Sequence, residues 1–146
     1  MINLKEIERN NFDECMALER KNAKFVGDAS YVLAEAYTFK DHSKAYGIYD
    51  DDIIVGMVII SDGPLRNGAY SFTDLFIADN QQGKGYAKEV VASILEKFKK
   101  ERKAGNVSVC VHEANTIALH IYKKYGFKET KIADANNGFI ELSLDL

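Results

Sequence analysis

The sequence predicts a mixed α/β (α+β) fold, in which about four helices flank one central mixed, mostly antiparallel sheet. Two kinds of segment indicate this fold. Runs rich in β-branched residues, such as Ile53–Ser61 and Val107–Val111, are typical of buried strands. They alternate with segments whose apolar residues recur at helical spacing, most clearly from Gly85 to Arg102. Because 146 residues is near the commonest domain size, we expect a single domain over residues 1–146.

The first half of the chain divides at turn residues into strands and two helices. Asn10 or Asn11 is suited to cap the first helix, and Asp50–Asp52 to form the turn of a hairpin. In order, the expected elements are a strand at 2–8, helices at about 12–19 and 30–39, strands at 44–49 and 53–61, a loop punctuated by Gly and Pro at 62–68, and a strand at 69–78.

In the second half of the chain, helices and strands alternate more clearly. The helix that Gly85 opens has one apolar face, with Lys and Glu on most of the other side. Asn115 or Thr116 is suited to cap a second, short helix, and Gly126 to end it. In order, the expected elements are a helix from 85 to about 102, a strand at 107–111, a helix at about 115–125, and strands at about 127–133 and 139–144 around a turn at 136–138.

Charge and hydropathy argue against several classes of protein. The 19 Lys and Arg residues and 22 Asp and Glu residues leave a formal net charge of -3, which does not favour a nucleic-acid partner. The longest apolar run, Ile53–Ile60, is far shorter than the roughly 20 residues of a membrane-spanning helix. The first residues lack the apolar core of a signal peptide. We therefore expect a cytoplasmic protein with neither a membrane nor a nucleic-acid partner.

The cysteines and histidines do not predict a metal site. Cys15 and Cys110 form no CxxC pair, and no cluster of Cys and His has zinc-ligand spacing. His42, His112 and His120 are too widely spread to suggest a metal site or a triad. We expect buried, apolar cysteines, histidines that are at the surface or hydrogen bonded, and no metal.

The most informative segment is the loop between the strand at 69–78 and the following helix. Gly83 and Gly85 leave backbone N–H groups at a helix N-terminus, which favours a phosphate or pyrophosphate site, and Lys84 and Lys88 add positive charge. The loop fits neither the P-loop motif nor the dinucleotide fingerprint. The spacing alone leaves a second interpretation open, namely a surface loop whose glycines only cap the helix.

Tyr122, in the short helix, is a candidate general acid. It shares a helical face with Ala118 and Tyr125, which is a position typical of a core aromatic residue. A phenol has an unperturbed pKa of about 10, against about 8.5 for a thiol, so it stays protonated at neutral pH and can protonate a thiolate. The residues alone leave both interpretations open.

Two motifs together resemble those of the GNAT superfamily of acetyl-CoA-dependent N-acetyltransferases. The first is Gln or Arg, two residues, Gly, one residue, then Gly or Ala, and Gln82–Ala87 reads Gln-Gly-Lys-Gly-Tyr-Ala. The second is an Asn, a following Ala, an aromatic residue and Gly-Phe, which match Asn115, Ala118, Tyr122 and Gly126-Phe127. Both occur in the family's order on the predicted scaffold, and the resemblance covers nearly the whole chain.

The resemblance implies how acetyl-CoA is held. Its pyrophosphate is expected on the amides of the glycine loop, and its pantetheine arm along a strand, where the family separates two strands. The implied cofactor-binding residues are Leu75, Phe76, Ile77, Gln82, Gly83, Lys84, Gly85, Tyr86, Ala87 and Asn115. Tyr122 is then expected to protonate the departing CoA thiolate. Family members are often dimers, which makes a homodimer a candidate assembly.

The resemblance also suggests a base and an acceptor. The family often uses a carboxylate acting through water to deprotonate the amine, and Asp74 is the candidate, although related enzymes often place the acid where this chain has Thr73. From its position alone, Asp74 can equally be a solvent-facing strand residue. Residues 25–37 look similar to bacterial spermine/spermidine acetyltransferases, so Asp28 and Glu35 are expected to bind a polycation. The alternatives are a helix cap for Asp28 and a solvated helix face for Glu35.

The expected function is transfer of the acetyl group of acetyl-CoA to a primary amine of a small cationic acceptor, such as spermidine or spermine. Other acceptors stay open, namely a protein N-terminus, an amino acid or an antibiotic amine. A non-catalytic module that binds acyl-CoA would keep the glycine loop but would not need Tyr122.

Overall fold

The computed structural model describes residues 1–21, 23–62 and 68–146. Most of the loop expected at 62–68 lies outside the described residues. The described helices and strands are β1 (Ile2–Glu6), α1 (Phe12–Met16), α2 (Ala29–Thr38), β2 (Ser43–Asp50), β3 (Ile53–Ser61), β4 (Ser71–Ile77), α3 (Tyr86–Glu101), β5 (Asn106–His112), α4 (Thr116–Lys124), β6 (Lys128–Asp134) and β7 (Phe139–Asp145). A single 3-10 turn, Asp79–Gln81, follows β4. Across these residues, no helix has both the length and the apolar character needed to span a bilayer.

The described strands form two antiparallel sheets that join at one point. The first sheet has the order β1-β2-β3-β4 and the second the order β5-β7-β6. A parallel bridge links Tyr70, just before β4, to Val107 of β5. The Tyr70 N–H donates to the Asn106 carbonyl (3.0 Å) and the Ser108 N–H to the Tyr70 carbonyl (2.8 Å). The predicted mixed, mostly antiparallel fold with four helices is confirmed. Beyond this bridge the described residues of β4 and β5 do not pair, so a gap opens between the two strands.

A bulge in β4 lies beside this gap. In the ladder with β3, Met57 pairs with Phe76 but Ile59 pairs with Thr73, so β4 carries one extra residue between these pairs. Asp74 has a φ of 52°, a left-handed conformation that costs a non-glycine residue about 1–3 kcal/mol. The strand predicted at 69–78 is therefore present, but it is interrupted at a position that the hydropathy pattern did not indicate.

Two hydrophobic clusters cover the two faces of the first sheet. The larger cluster contains Phe72, Ile77 and the buried face of α3, and the smaller one contains Phe76 with buried residues of α1 and α2. Phe72 and Ile77 are an odd number of residues apart, yet they lie in the same cluster because the bulge adds one residue to the alternation. The gap is bordered by α3 and α4 on one side and by the connection between α1 and α2 on the other.

Apart from the end of α1, the predicted boundaries agree with the structure to within two residues. A helix to about Glu19 was expected, but α1 ends at Met16. The Glu19 carbonyl instead accepts the Asp79 N–H (2.9 Å), and the Lys21 N–H donates to Asp79 Oδ2 (2.6 Å). These long-range hydrogen bonds replace those that would continue the helix. Both cysteines were expected to be buried. Cys15 is fully buried in α1, but Cys110 is only partly buried, because it lies on the part of β5 that borders the gap.

The capping residues expected for α4 are both in place. The Asn115 side chain accepts the Ala118 N–H (3.3 Å), which satisfies a donor of the first turn. Gly126 has a φ of 94° just beyond the helix, a conformation suited to glycine. These caps fix both ends of the helix that carries Tyr122.

Candidate active site

The gap between β4 and β5 forms a cavity of about 570 Å³ that brings most of the predicted site residues together. Those that line it are Asp74, Leu75, Phe76, Ile77, Gln82, Gly83, Gly85, Tyr86, Ala87, Asn115 and Tyr122. Lys84, Asp28 and Glu35 are not among its lining residues. Predicted residues from three separate segments, namely β4, the glycine loop and α4 with its cap, therefore share one cavity.

The glycine loop enters the cavity at the N-terminus of α3. Gly83 and Gly85 have φ values of 80° and 84°, and a Cβ added to either would have no described atom within 4 Å. The backbone is therefore open to a ligand at both positions, and the first amides of the 16-residue helix α3 follow directly. The Gln82 side chain is turned towards the strand, where Nε2 donates to the Ile77 carbonyl (3.1 Å).

Two side chains of this loop point to protein partners. Lys84 Nζ donates to Gln81 Oε1 (2.8 Å), which holds the ammonium group at the surface. The Tyr86 hydroxyl donates to Asp50 Oδ2 (2.8 Å), and this bond raises the pKa of Tyr86. The anion-binding capacity of the loop therefore rests mainly on its backbone amides.

Tyr122 lies at the inner wall of the cavity. It is 8% exposed, and its ring packs against Phe72 and Phe127 with centroid distances of 5.7 and 5.6 Å. Burial raises the pKa of Tyr122 to about 12. Its side chain is both a core aromatic residue and a cavity-lining phenol, so the two interpretations left open by the sequence are compatible.

Asp74 brings a carboxylate to the same cavity. Its Oδ2 atom is buried, and it has no hydrogen-bond partner among the described residues. A buried polar atom without a partner costs about 1–3 kcal/mol, and here it belongs to a residue whose backbone is also strained. An unfavourable conformation combined with an unused acceptor is typical of functional sites.

A second cavity, of about 250 Å³, adjoins the first at Thr73, which lines both. It lies between α2 and the strands β2, β3 and β4, and Glu35 is its one charged lining residue among those described. Two other lining residues, Ser43 and Ser61, hydrogen bond to each other through their hydroxyls (2.6 Å). Asp28 lies at the start of the same helix, where its Oδ1 accepts the Tyr31 N–H (3.0 Å) and caps α2.

Sequence reasoning missed several residues that line the main cavity, among them Arg20, Phe25, Cys110 and His112. Arg20 and Phe25 come from the segment between α1 and α2, which has no regular pattern that could have placed them. Cys110 and His112 lie two residues apart in β5, and both line the cavity. The expected position of this strand beside the gap was the signal that could have identified them. The His112 ring stacks on Phe25 (5.3 Å) and meets the edge of Phe139 (5.3 Å).

Comparison with known proteins gives a consistent family assignment. The model of the Acetyltransferase (GNAT) family matches residues 7–127. The chain is 30% identical over 88 residues to an SPbeta prophage-derived uncharacterized N-acetyltransferase, YokL, of Bacillus subtilis strain 168, covering 60% of this chain and 49% of that protein. It is 24% identical over 98 residues to a spermine/spermidine N(1)-acetyltransferase of the same strain, covering 64% of each. The chain thus matches 49% and 64% of the length of these two relatives, which is less than two thirds of either.

Solved structures show the same fold. A spermidine N-acetyltransferase from Vibrio cholerae in complex with CoA and spermine superposes with a TM-score of 0.77 and 16% identity, over 99% of this chain and 95% of that one. The ribosomal L7/L12 α-N-protein acetyltransferase RimL, in complex with CoA, has a TM-score of 0.78 and 12% identity, over 99% and 94%. This chain therefore has the fold of these two proteins. With the match over residues 7–127, the chain belongs to the GNAT family.

Proposed function

We propose that residues 1–146 form a single N-acetyltransferase domain that transfers the acetyl group of acetyl-CoA to a primary amine of a small acceptor. The observation that carries this proposal is the convergence of the glycine loop, Tyr122 and Asp74 on one cavity. Acetyl transfer from a thioester to an amine requires a bound cofactor, a proton donor for the thiolate and a base for the amine. One candidate for each lies in this cavity.

The loop and the separated strand fit the phosphate and pantetheine parts of acetyl-CoA. Open space at Gly83 and Gly85 lets an anion approach the amides of Gln82–Ala87, and the α3 dipole favours negative charge there. The β4 residues Leu75–Ile77 border the gap where pairing with β5 is absent, so their backbone groups can hold the amide-containing arm. Asn115 lines the cavity beside them. When bound, acetyl-CoA supplies the activated acetyl group.

Tyr122 is proposed to protonate the departing thiolate from its phenolic oxygen. With a pKa raised to about 12 by burial, the phenol stays protonated throughout the neutral range. Because a free thiolate, with a thiol pKa of about 8.5, is a weaker base than the phenolate, the proton would pass to the sulfur while the C–S bond breaks. The neutral thiol that forms is too weak a nucleophile to attack again, and the phenolate then regains a proton from solvent. Backbone N–H groups near Phe76 and Ile77 are the candidates to stabilise the negative charge that develops on the carbonyl oxygen.

Asp74 is proposed to accept a proton from the attacking amine, directly or through one water. A primary ammonium with a pKa of about 10.4 is almost fully protonated at neutral pH and cannot attack. The buried Oδ2 of Asp74, which has no hydrogen-bond partner among the described residues, offers an acceptor at the bulge of β4. Its strained backbone conformation supports a functional role rather than a structural one.

The acceptor proposed from the sequence is a polyamine such as spermidine or spermine. Glu35 supports this, because its carboxylate lines the cavity that adjoins the main one at Thr73 and could bind a distal ammonium group. Asp28 would add negative charge at the start of the same helix. The spermine/spermidine N(1)-acetyltransferase relative supports the same class of acceptor.

A second acceptor class, amines that carry an acidic group, is favoured by a different observation. The positively charged side chain of Arg20 lines the main cavity, where a polycation would meet it unfavourably. Amino acids are amines of this second class.

A thiol-release assay with acetyl-CoA and a panel of amines tests the proposed function. The panel should include spermidine, spermine, diamines, amino acids, aminoglycosides and N-terminal peptides, and we expect turnover with at least one small amine. CoA affinity measured by calorimetry on the same preparation separates an enzyme from a non-catalytic module, which would bind CoA without releasing thiol. Turnover with peptides alone would overturn the proposal of a small acceptor. Sedimentation of the same sample tests the homodimer.

A further inference from the structure

Arg20 lines the main cavity from the connection between α1 and α2, whereas the proposed phosphate site lies at the N-terminus of α3. Its guanidinium carbon lies 5.1 Å from the centroid of the Phe76 ring, which packs in the cluster of α1 and α2. Tyr86 and Tyr122 pack instead in the cluster of α3 and α4. With the cofactor on the α3 side, as proposed, the space beside Arg20 is left for the acceptor.

The Arg20 guanidinium has more donors than the protein uses. Nη2 donates to the Val26 carbonyl (3.3 Å), whereas Nε is buried and has no hydrogen-bond partner among the described residues. A guanidinium offers five N–H donors in a planar fork. Burial lowers the pKa of Arg20, and only the charge of Asp79 opposes this effect. Arg20 is therefore a partly desolvated cation with unused donors.

No acidic side chain of the described residues forms an ion pair with Arg20. The charge of Asp79 raises the pKa of Arg20, but Asp79 forms no ion pair with Arg20 among the described contacts, and its Oδ2 accepts the Lys21 N–H (2.6 Å). In a site of reduced polarity, a guanidinium attracts an anion more strongly than it would in water. The protein thus leaves room for an anion supplied by a ligand.

The charges that line the cavity also differ from those expected for a polycation. Among the described lining residues, Asp74 is the one carboxylate, and Arg20 and Lys88 are cations. Asp74 and Phe76, over which Arg20 lies, both line this cavity. An amine that also bears a carboxylate would place one charge against Asp74 and the opposite charge against Arg20. A diamine or polyamine would offer no anionic group to Arg20.

We infer that Arg20 binds a carboxylate of the acceptor, so that the acceptor is a primary amine carrying a carboxylate, of the diamino-acid type. Arg20 has this role only if the protein transfers acetyl to a primary amine, as proposed above. The assignment differs from the polyamine acceptor in one chemical group. Two pairs of commercial amines isolate that group, because ornithine differs from putrescine, and lysine from cadaverine, by the carboxylate alone.

The test measures kcat/KM for the four amines at saturating acetyl-CoA. The wild-type protein should prefer ornithine and lysine over putrescine and cadaverine. Arg20→Gln should lower kcat/KM for the two amino acids roughly 10- to 100-fold, the effect of one lost charge-assisted contact, and leave the diamines unchanged or improved. Arg20→Lys should recover only part of the loss, because an ammonium lacks the planar fork. Lys21→Gln removes a neighbouring exposed cation and should change nothing.

Three results would overturn the role of Arg20. The first is a wild-type preference for the diamines that survives in Arg20→Gln. The second is an equal loss of kcat/KM for both members of each pair of amines. The third is weakened CoA binding in Arg20→Gln, which would show that Arg20 binds an anionic group of the cofactor. Thermal unfolding of each variant shows whether a loss of kcat/KM comes from misfolding. If Arg20→Gln is misfolded, the kinetics of Arg20→Lys decide the role of Arg20.

Failure of the proposed function would be recognised separately. If no amine releases thiol although CoA binds, the protein is not an acetyltransferase of small amines. Calorimetry with the CoA-bound protein then decides the role of Arg20. Ornithine binding that Arg20→Gln abolishes would support it, and equal binding of ornithine and putrescine would overturn it.

Discussion

The two sides of the cavity between β4 and β5 are built by different means. On the α3 side, the loop at Gln82–Ala87 and the start of α3 form one continuous stretch, whose glycines set the backbone. On the α1 side, Arg20 and Phe25 reach the cavity through contacts with Phe76 and His112, which lie far along the chain. The first side therefore depends on local backbone conformation and the second on long-range packing. Substitutions on the two sides should consequently fail in different ways.

The largest effect is expected from Gly85→Val. A branched side chain at a φ of 84° strains the backbone and fills the space next to the amides. We expect the variant to lose CoA binding that can be measured by calorimetry. Gly68→Val is the matched control, because Gly68 has a φ of 82° and similar open space among the described residues but does not line the cavity. It should lose a comparable stability, about 1–3 kcal/mol, and keep its CoA affinity. Equal CoA affinities in the two variants would contradict the assignment of the loop.

Tyr122→Phe should leave the shape of the same side unchanged and remove only a proton donor. We expect kcat to fall roughly 10²-fold or more, with CoA affinity nearly unchanged, because the ring contacts with Phe72 and Phe127 persist. Steady-state kinetics combined with calorimetry make the distinction. Turnover at the wild-type rate would exclude Tyr122 from the mechanism.

Asp74→Asn tests the bulge of β4, which lies between the two sides of the cavity. Asparagine tolerates a positive φ, so the bulge should persist while the base is lost. We expect kcat/KM to fall roughly 10²-fold at pH 7. The defect should shrink as the pH rises towards about 10.4, where the amine loses its proton without help. A pH–rate profile checks this, and a loss that stays constant with pH would argue against a role in deprotonation.

The smallest effects are expected at Asp28, on the second side. Asp28→Ala should cost about 1 kcal/mol of stability, because it removes the cap of α2, whereas Asp28→Ser should retain the cap. If the charge also attracts a cationic acceptor, Asp28→Ser should raise KM by roughly twofold, the size of a weak surface interaction. Urea unfolding and KM measured on the same proteins separate the two roles. A large change in KM at full stability would show direct contact with the acceptor.

The same division explains what the sequence could and could not predict. Gly85, Asn115 and Gly126 act within a few residues of themselves, and the elements that they begin or end were predicted. Arg20 was not predicted as a site residue, because nothing in the sequence connects an irregular segment to Phe76. The hydrogen bonds of Asp79 that end α1 early are also invisible without the fold.

The bulge in β4 is an intermediate case. The sequence shows a polar residue, Asp74, beside an apolar run, whereas only the structure shows that Phe72 and Ile77 share one cluster. These observations indicate an irregular strand only once the pairing of Met57 and Ile59 is known. The roles of the site residues in catalysis remain predictions that the variants above address.

The extra residue in β4 also has an evolutionary consequence. Because Phe72 and Ile77 already lie in one cluster on either side of it, deleting Asp74 would give a regular strand with the same core. Such a chain would lose a strained residue and gain uninterrupted pairing with β3, so we expect it to be more stable than the natural protein and inactive. Deletion of a single codon would thus give a shorter and more stable version of this fold. Selection for activity, rather than for folding, is what would keep the residue in place.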